Sequence, residues 1–275
     1  MPELLYQEHE IDEPLSSRMD GWNIELDFDQ TGEHNMLRDE AIANELTAVP
    51  NAPNVLRLYT WKPSAISLGY LQSDETVDRE ACLREGIDVV RRPTGGRAVL
   101  HADELTYCVV FRSHSTDGIY AVHNQITESL LKSLETLGRC EKVLTLSGRG
   151  ASTKAAYQGE RPTNIACFAS TGRHEVLHNG RKVLGSAQRR FGDIVLQHGS
   201  ILLGGEHLRL PEFLILSTER RSEMQILLNE QTTTLSEIFG RRITASAAAE
   251  CLKEDFVEHF SKSLAGNRIQ GEVLT

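Results

Sequence analysis

Asn179-Gly180 constrains the fold more tightly than any other pair in the chain. A two-residue type I′ turn needs a positive φ at both central positions, so Asn-Gly between two runs of alternating polarity specifies an antiparallel hairpin. Glu175 to His178 and Arg181 to Arg189 are those runs. The hairpin also decides how to read His174-Glu175-Val176-Leu177-His178, which matches the HExxH pattern of zinc peptidases. That chemistry needs a helix, to bring two imidazoles onto one face. Here Gly172 stands two positions before the first histidine, and the turn directly follows the second. On a strand the two histidines lie roughly 13 Å apart, at about 3.3 Å per residue, too far for one metal ion. The segment reads as hairpin, and no metal site is expected.

Around it the pattern alternates helix and strand. Met36, Leu37, Ile42 and Leu46 recur at helical spacing, predicting a helix over 31–49 closed by Pro50-Asn51-Ala52-Pro53. Strands are expected over 55–61 and 66–69, a short helix over 77–85 and strands over 87–91 and 105–111. A helix over 121–137 and a short strand over 142–146 come next. A Gly/Ser/Thr-rich loop over 147–163 and strands over 165–168 and 194–203 complete the β-rich part. Beyond about residue 205 strand character stops; Thr234-x-x-Glu237 reads as a capping box, and 243–264 carries Ala, Leu and Phe at helical spacing. The expected fold class is α+β, with mixed, largely antiparallel sheets flanked by helices. Residues 1–204 form the expected catalytic domain and 205–275 a small helical C-terminal subdomain. At 275 residues and 40% apolar content, such a chain can bury a core without disulfides or metal.

Charge and cysteine usage narrow the function classes. With 29 Lys+Arg against 39 Asp+Glu, the formal net charge is −10. That balance, with no long basic block, argues against a protein whose main work is holding nucleic acid, which needs a net basic face, although an acidic protein can still carry local basic patches. No apolar window is long enough to span a membrane, and the N-terminus lacks the basic and apolar regions of an export signal. The cytoplasm is therefore the expected location. Five cysteines, at 82, 108, 140, 167 and 251, are odd in number and contain no CxxC, which fits reduced thiols.

The first chemical feature is Arg91-Arg92-Pro93-Thr94-Gly95-Gly96-Arg97-Ala98-Val99-Leu100-His101. Adjacent glycines let backbone N–H groups approach a ligand with no Cβ in the way, and arginines favour phosphate or carboxylate. A Gly-Gly turn with surface arginines explains the composition equally well. The segment is neither GxGxxG nor a Walker A loop.

This segment resembles the Arg-Arg-x-Ser/Thr-Gly-Gly-x-Ala-Val-x-His motif of the lipoate/biotin protein ligase and octanoyltransferase superfamily. Gly180-Arg181-Lys182-Val183-Leu184-Gly185-Ser186-Ala187-Gln188 resembles its lysine segment, and His198-Gly199-Ser200-Ile201-Leu202 its His-Gly segment. With Trp61-Lys62-Pro63 and Ile66-Ser67-Leu68-Gly69 upstream, the motifs keep the family's order over residues 35–205. ATP-dependent members carry a third glycine where this chain has Arg97, and commonly an accessory domain. Thr-Gly-Gly-Arg and Ala166-Cys167-Phe168 instead resemble a branch of octanoyl-acyl carrier protein:protein N-octanoyltransferases that works through a cysteine thioester. A second branch places its cysteine three residues before His-Gly, where this chain has Val195.

The resemblance implies Cys167 as nucleophile and Lys182 as its partner, with no ATP or other cofactor. A thiol of pKa near 8.5 is only about 3% thiolate at pH 7; lowering the pKa by two units makes it roughly 75%. It further implies that Arg91, Arg92, Thr94, Gly95, Gly96, His101, Gly185, Ser186 and Ala187 line the acyl or substrate site. The donor is then octanoyl-acyl carrier protein and the acceptor a lipoyl-domain lysine, as in glycine cleavage H protein. Arg91, Arg92, Arg97, Arg189 and Arg190 are candidate contacts for the acidic carrier. Alternatives are an ATP-dependent lipoate ligase, transfer between two lipoyl domains, and a non-catalytic binder of lipoyl domains or acyl groups. A monomer is expected.

Overall fold

The computed structural model describes residues 15–19, 21–113, 118–138, 143–147 and 175–272. Its strands are β1 (Leu15–Met19), β2 (Trp22–Gln30), β3 (Asn54–Trp61), β4 (Ala65–Leu68), β5 (Asp88–Arg91), β6 (Val99–His101), β7 (Glu104–Arg112), β8 (Thr145–Leu146), β9 (Val176–His178), β10 (Arg181–Phe191) and β11 (Ile194–Leu202). The helices are α1 (Gly32–Ala48), α2 (Arg79–Arg84), α3 (Ile119–Gly138), α4 (Thr218–Gln231), α5 (Leu235–Phe239) and α6 (Ala245–Glu272). No helix among the described residues is long and apolar enough to cross a membrane.

The frame is an eight-stranded sheet in the order β1-β2-β3-β7-β11-β10-β9-β8, beside a three-stranded sheet in the order β5-β4-β6. Pairing is antiparallel except at β2/β3 and β4/β5. The first exception follows from α1, because a helical crossover returns the chain parallel to the strand it left. Strand β7 is buried on both faces over 104–111, which is why Leu105 to Phe111 reads as an apolar run with little alternation. On one face Trp22, Leu58, Tyr107 and Phe111 pack against Leu130 of α3 and Phe256 and Phe260 of α6. On the other, Met36 and Ile42 of α1 cover Cys108, Val110 and Leu196.

The expected α+β fold is the one observed. Asn179 and Gly180 have φ of 50° and 79°, as a type I′ turn requires, and strands β9 and β10 flank them. Glu175 and His178 therefore belong to a hairpin, while His174 lies outside the described residues. The expected strand over 165–168 lies outside them too. Thr234 accepts the Glu237 N–H at 3.2 Å, but the Glu237 carboxylate takes the Thr233 hydroxyl at 2.8 Å, so the expected box is half formed. Residues 205–272 contain no strand, yet their cores are continuous with the sheets. Leu235, Leu252, Phe256 and Phe260 join Trp22 and Phe111, and Leu210, Phe213, Met224 and Leu228 join Ile66, Leu68 and Val99.

Candidate active site

Between the two sheets lies a pocket walled by Met36 of α1, Tyr59 and Trp61 of β3, Val99 and His101 of β6, and the backbone of Gly185 to Ala187 opposite His198 to Ser200. Ser67, Arg92 and Thr106 complete the lining. The motifs singled out in the sequence meet here because β10 and β11 pair in register, Ser186 with Gly199 and Ala187 with His198.

At one end, Trp61 stacks on His101 with ring centroids 4.0 Å apart and 11° between planes. His101 is held through Nδ1 by Glu104 at 2.8 Å and through Nε2 by Ser67 at 2.7 Å. The Thr106 and Ser200 hydroxyls donate to the same Glu104 oxygen at 2.6 and 2.9 Å, and the Trp61 indole N–H donates to Thr106 at 2.7 Å.

A second buried relay runs from the glycine loop into the core. Thr94 Oγ1 lies 2.6 Å from His198 Nε2, and His198 Nδ1 lies 2.9 Å from Asp39 Oδ2. Asp39 also receives Arg57 at 2.9 Å and the Tyr59 hydroxyl at 2.9 Å, and Arg57 reaches on to Asp27 at 2.6 Å. Burial opposes ionisation of Asp39, but the His198 hydrogen bond and the Arg57 charge outweigh it and hold the carboxyl below its ordinary value. Burial lowers His198 despite Asp39, leaving a neutral imidazole with its proton on Nδ1. Burial, with Asp39 alongside, pushes the Tyr59 phenol well up.

The glycine loop is clamped from beneath. Arg92, only 5% exposed, donates to the carbonyls of Ser67, Gly95 and Arg97 at 2.9, 3.0 and 2.7 Å. Gly96 has φ of 106°, and a Cβ on Gly69 would stand 2.0 Å from its carbonyl oxygen. Arg91 is spent on the next loop, donating to the Gly69 and Gln72 carbonyls at 2.7 Å each and pairing with Asp74 at 3.0 Å. Arg189 donates to the Pro93 carbonyl at 2.8 Å and covers the Tyr70 ring. Three of the five arginines expected to meet a carrier protein thus brace the loops around the mouth. Arg97 and Arg190 are half-buried.

Of the expected site residues, Arg92, His101, Gly185, Ser186 and Ala187 line the pocket. Thr94 lies behind His198, and Gly95 and Gly96 are exposed on the loop. Lys182 is 1% exposed, pairs with Glu175 at 2.5 Å and is not among the residues lining the pocket. Cys167 lies outside the described residues. Sequence reasoning missed Asp39, Arg57, Tyr59 and Glu104. One signal was present: Arg57 interrupts an otherwise apolar strand, Val55-Leu56-Arg57-Leu58-Tyr59, and a buried arginine demands carboxylate partners.

Residues 31–257 match the lipoyl protein ligase A/B catalytic domain family. The chain is 38% identical to the octanoyltransferase LipM of Moorella thermoacetica over 246 residues, covering 86% of this chain and 84% of that one. It is 33% identical to the octanoyltransferase LipM of Bacillus subtilis over 230 residues, covering 81% and 80%. Among solved structures, lipoate-protein ligase A bound with ATP superposes with a TM-score of 0.64 at 21% identity, covering 86% of this chain and 85% of that one. A bipartite lipoate protein ligase of Thermoplasma acidophilum gives 0.63 at 21% identity, over 86% and 83%.

Proposed function

Because the chain belongs to the lipoyl protein ligase A/B catalytic domain family, we propose that it is an acyltransferase that moves an octanoyl group onto a lipoyl-domain lysine. The observation that carries this reading is the state of the pocket's polar groups. Tyr59, Ser67, Arg92, His101, Thr106, Ser186, His198 and Ser200 line it, and each is already hydrogen-bonded within the protein. What such a wall offers a guest is carbon. An octanoyl chain has six methylenes, and burying them at about 0.8 kcal/mol each supplies roughly 5 kcal/mol.

The chemistry runs through Cys167. Its thiolate attacks the carbonyl of octanoyl-acyl carrier protein, and the carrier's phosphopantetheine sulfur leaves and takes up a proton. The neutral lysine amine of the acceptor, in a protein such as glycine cleavage H protein, then attacks the Cys167 thioester; an amide forms, the thiolate is released and the amine proton passes to solvent. Exchange of one thioester for another is nearly isoenergetic, so the route uses no ATP. Two features support it: the Ala166-Cys167-Phe168 segment shared with the cysteine-dependent branch, and Lys182 in the hairpin strand β10 that follows it in sequence. To serve the developing oxyanion as a hydrogen-bond donor, Lys182 exchanges its 2.5 Å contact with Glu175 for the acyl oxygen.

Incubation with octanoyl-acyl carrier protein in the absence of ATP, followed by intact-mass measurement, is expected to give a hydroxylamine-labile octanoyl adduct that is absent in Cys167→Ala. Acyl transfer that requires ATP and survives Cys167→Ala would replace the thioester route with an acyl-adenylate one.

A further inference from the structure

Behind Trp61, on the side away from the acyl pocket, lies a second cavity. Its walls are Phe28 and Asp29 at the end of β2, Trp61, the Asp103–Glu104 corner, Arg242, and Ala245 and Ser246 in the first turn of α6.

Glu104 supplies the first indication of a ligand. It is 4% exposed; one carboxylate oxygen accepts from His101, Thr106 and Ser200, while Oε2 has no hydrogen-bond partner. A buried carboxylate oxygen left without a donor is costly, and Glu104 lines this cavity and not the acyl pocket. On the same wall stand two exposed aspartates, Asp29 at φ 58° and Asp103 at φ 50°. Asn179 of the hairpin turn is the only other described non-glycine residue with positive φ. The Asp103 carboxylate lies directly over Gly204, where the absence of a Cβ leaves it room. Asp29 is paired with Lys62 at 3.4 Å, which leaves Glu104 and Asp103; two carboxylates beside the Trp61 and Phe28 rings are the chemistry that recognises an organic ammonium.

The opposite wall has the other sign. Arg242 is exposed and has no ion-pair partner among the described residues. Beside it begins the 28-residue helix α6, whose first-turn amides and dipole favour an anion. Thr244 satisfies the N–H groups of Ala247 and Ala248. Ala245 and Ser246 face the cavity.

We propose that this cavity binds a small zwitterion, an amino acid or a close relative, with its ammonium on Glu104 and Asp103 and its carboxylate on Arg242 and the α6 N-terminus. The proposal is independent of the acyl-transfer reading. Occupancy is communicated to the acyl pocket through Trp61, which lines both cavities and stacks on the His101 that Glu104 holds.

Trp61 also supplies the readout, since the chain has two tryptophans and Trp22 is sealed in the core against Phe256 and Phe260. Straight-chain ω-amino acids from glycine to 6-aminohexanoate are titrated against the full-length protein while tryptophan emission is followed. At least one is expected to give a saturable change that disappears in Trp61→Phe. For that ligand, affinity is expected to fall at least tenfold in Arg242→Ala and in Asp103→Asn, and at least tenfold for the alkylamine and the carboxylate of the same length. No saturable response from any member overturns the proposal. So does an alkylamine that binds as tightly as the amino acid, or parental affinity in both variants.

Discussion

At the scale of single residues, Asp39 organises the site. It gathers His198, Arg57 and Tyr59 from two strands onto one carboxylate, and its acceptance of His198 Nδ1–H leaves Nε2 to take the Thr94 hydroxyl. The arrangement has a pH signature. His198 is held neutral with its pKa below the ordinary 6.5, so the unfolded chain takes up a proton there as pH falls through about 6.5 while the native chain does not. Stability therefore declines on acidification below that value, and His207, lowered by burial at Gly204 and Thr232, acts in the same direction. Denaturant titrations at several pH values between 7 and 5 are expected to show a shallower decline in His198→Gln, by at most about 1.4 kcal/mol per pH unit. An unchanged slope would mean that His198 takes up its proton equally in the native and unfolded chains.

At the scale of elements, the glycine loop separates two reasons for having glycine. Gly69 packs against the loop's own backbone, and an added Cβ would meet the Gly96 carbonyl oxygen at 2.0 Å and its carbon at 2.7 Å. Gly95 faces open space, with nothing within 4 Å of such a Cβ and no positive φ. Gly69→Ala is expected to cost about 2–4 kcal/mol in equilibrium unfolding, because backbone must move. Gly95→Ala is expected to leave stability within about 0.5 kcal/mol of the parent. If the loop approaches the acyl donor, Gly95→Ala still raises KM for that donor, which steady-state kinetics will read directly. The hairpin is the opposite case, since its geometry follows from Asn179 and Gly180 alone, whatever binds nearby.

At the scale of the whole molecule, legibility tracks sequence separation. The hairpin, α1 and the glycine loop depend on neighbours within a few residues, so their pattern is complete in a short window. The Asp39–His198 contact joins residues 159 apart, and Trp22 meets Ser261 across 239; no local window contains both partners. Strand β2, with Trp22, Ile24, Leu26 and Phe28 alternating, was missed despite its pattern, and strand β1, the short strand β6 and helix α4 escaped detection for a reason related to sequence separation. Each of these last three is short or weakly patterned and is fixed by what it packs on, as α4 is by the burial of Met224 and Leu228. The apparent change of character at residue 205 marks the end of strands and leaves the core unbroken, because Phe256 and Phe260 of α6 wedge against Trp22 and Phe111. Phe260→Ala is expected to destabilise the protein by about 3–5 kcal/mol, with β-sheet and helix signals melting in one transition. Two separated transitions would show that α6 unfolds as its own unit. The central pairing of β7 with β11 sets a clock for biosynthesis. Residues Glu104–Arg112 are made roughly ninety positions ahead of the strand that covers them, a wait on the order of 5 to 20 s at ribosomal elongation rates. For that interval β7 has β3, made earlier, on one side and an open apolar edge on the other, so the speed of translation through residues 113–193 governs how much of the nascent chain reaches the native sheet before it meets another copy.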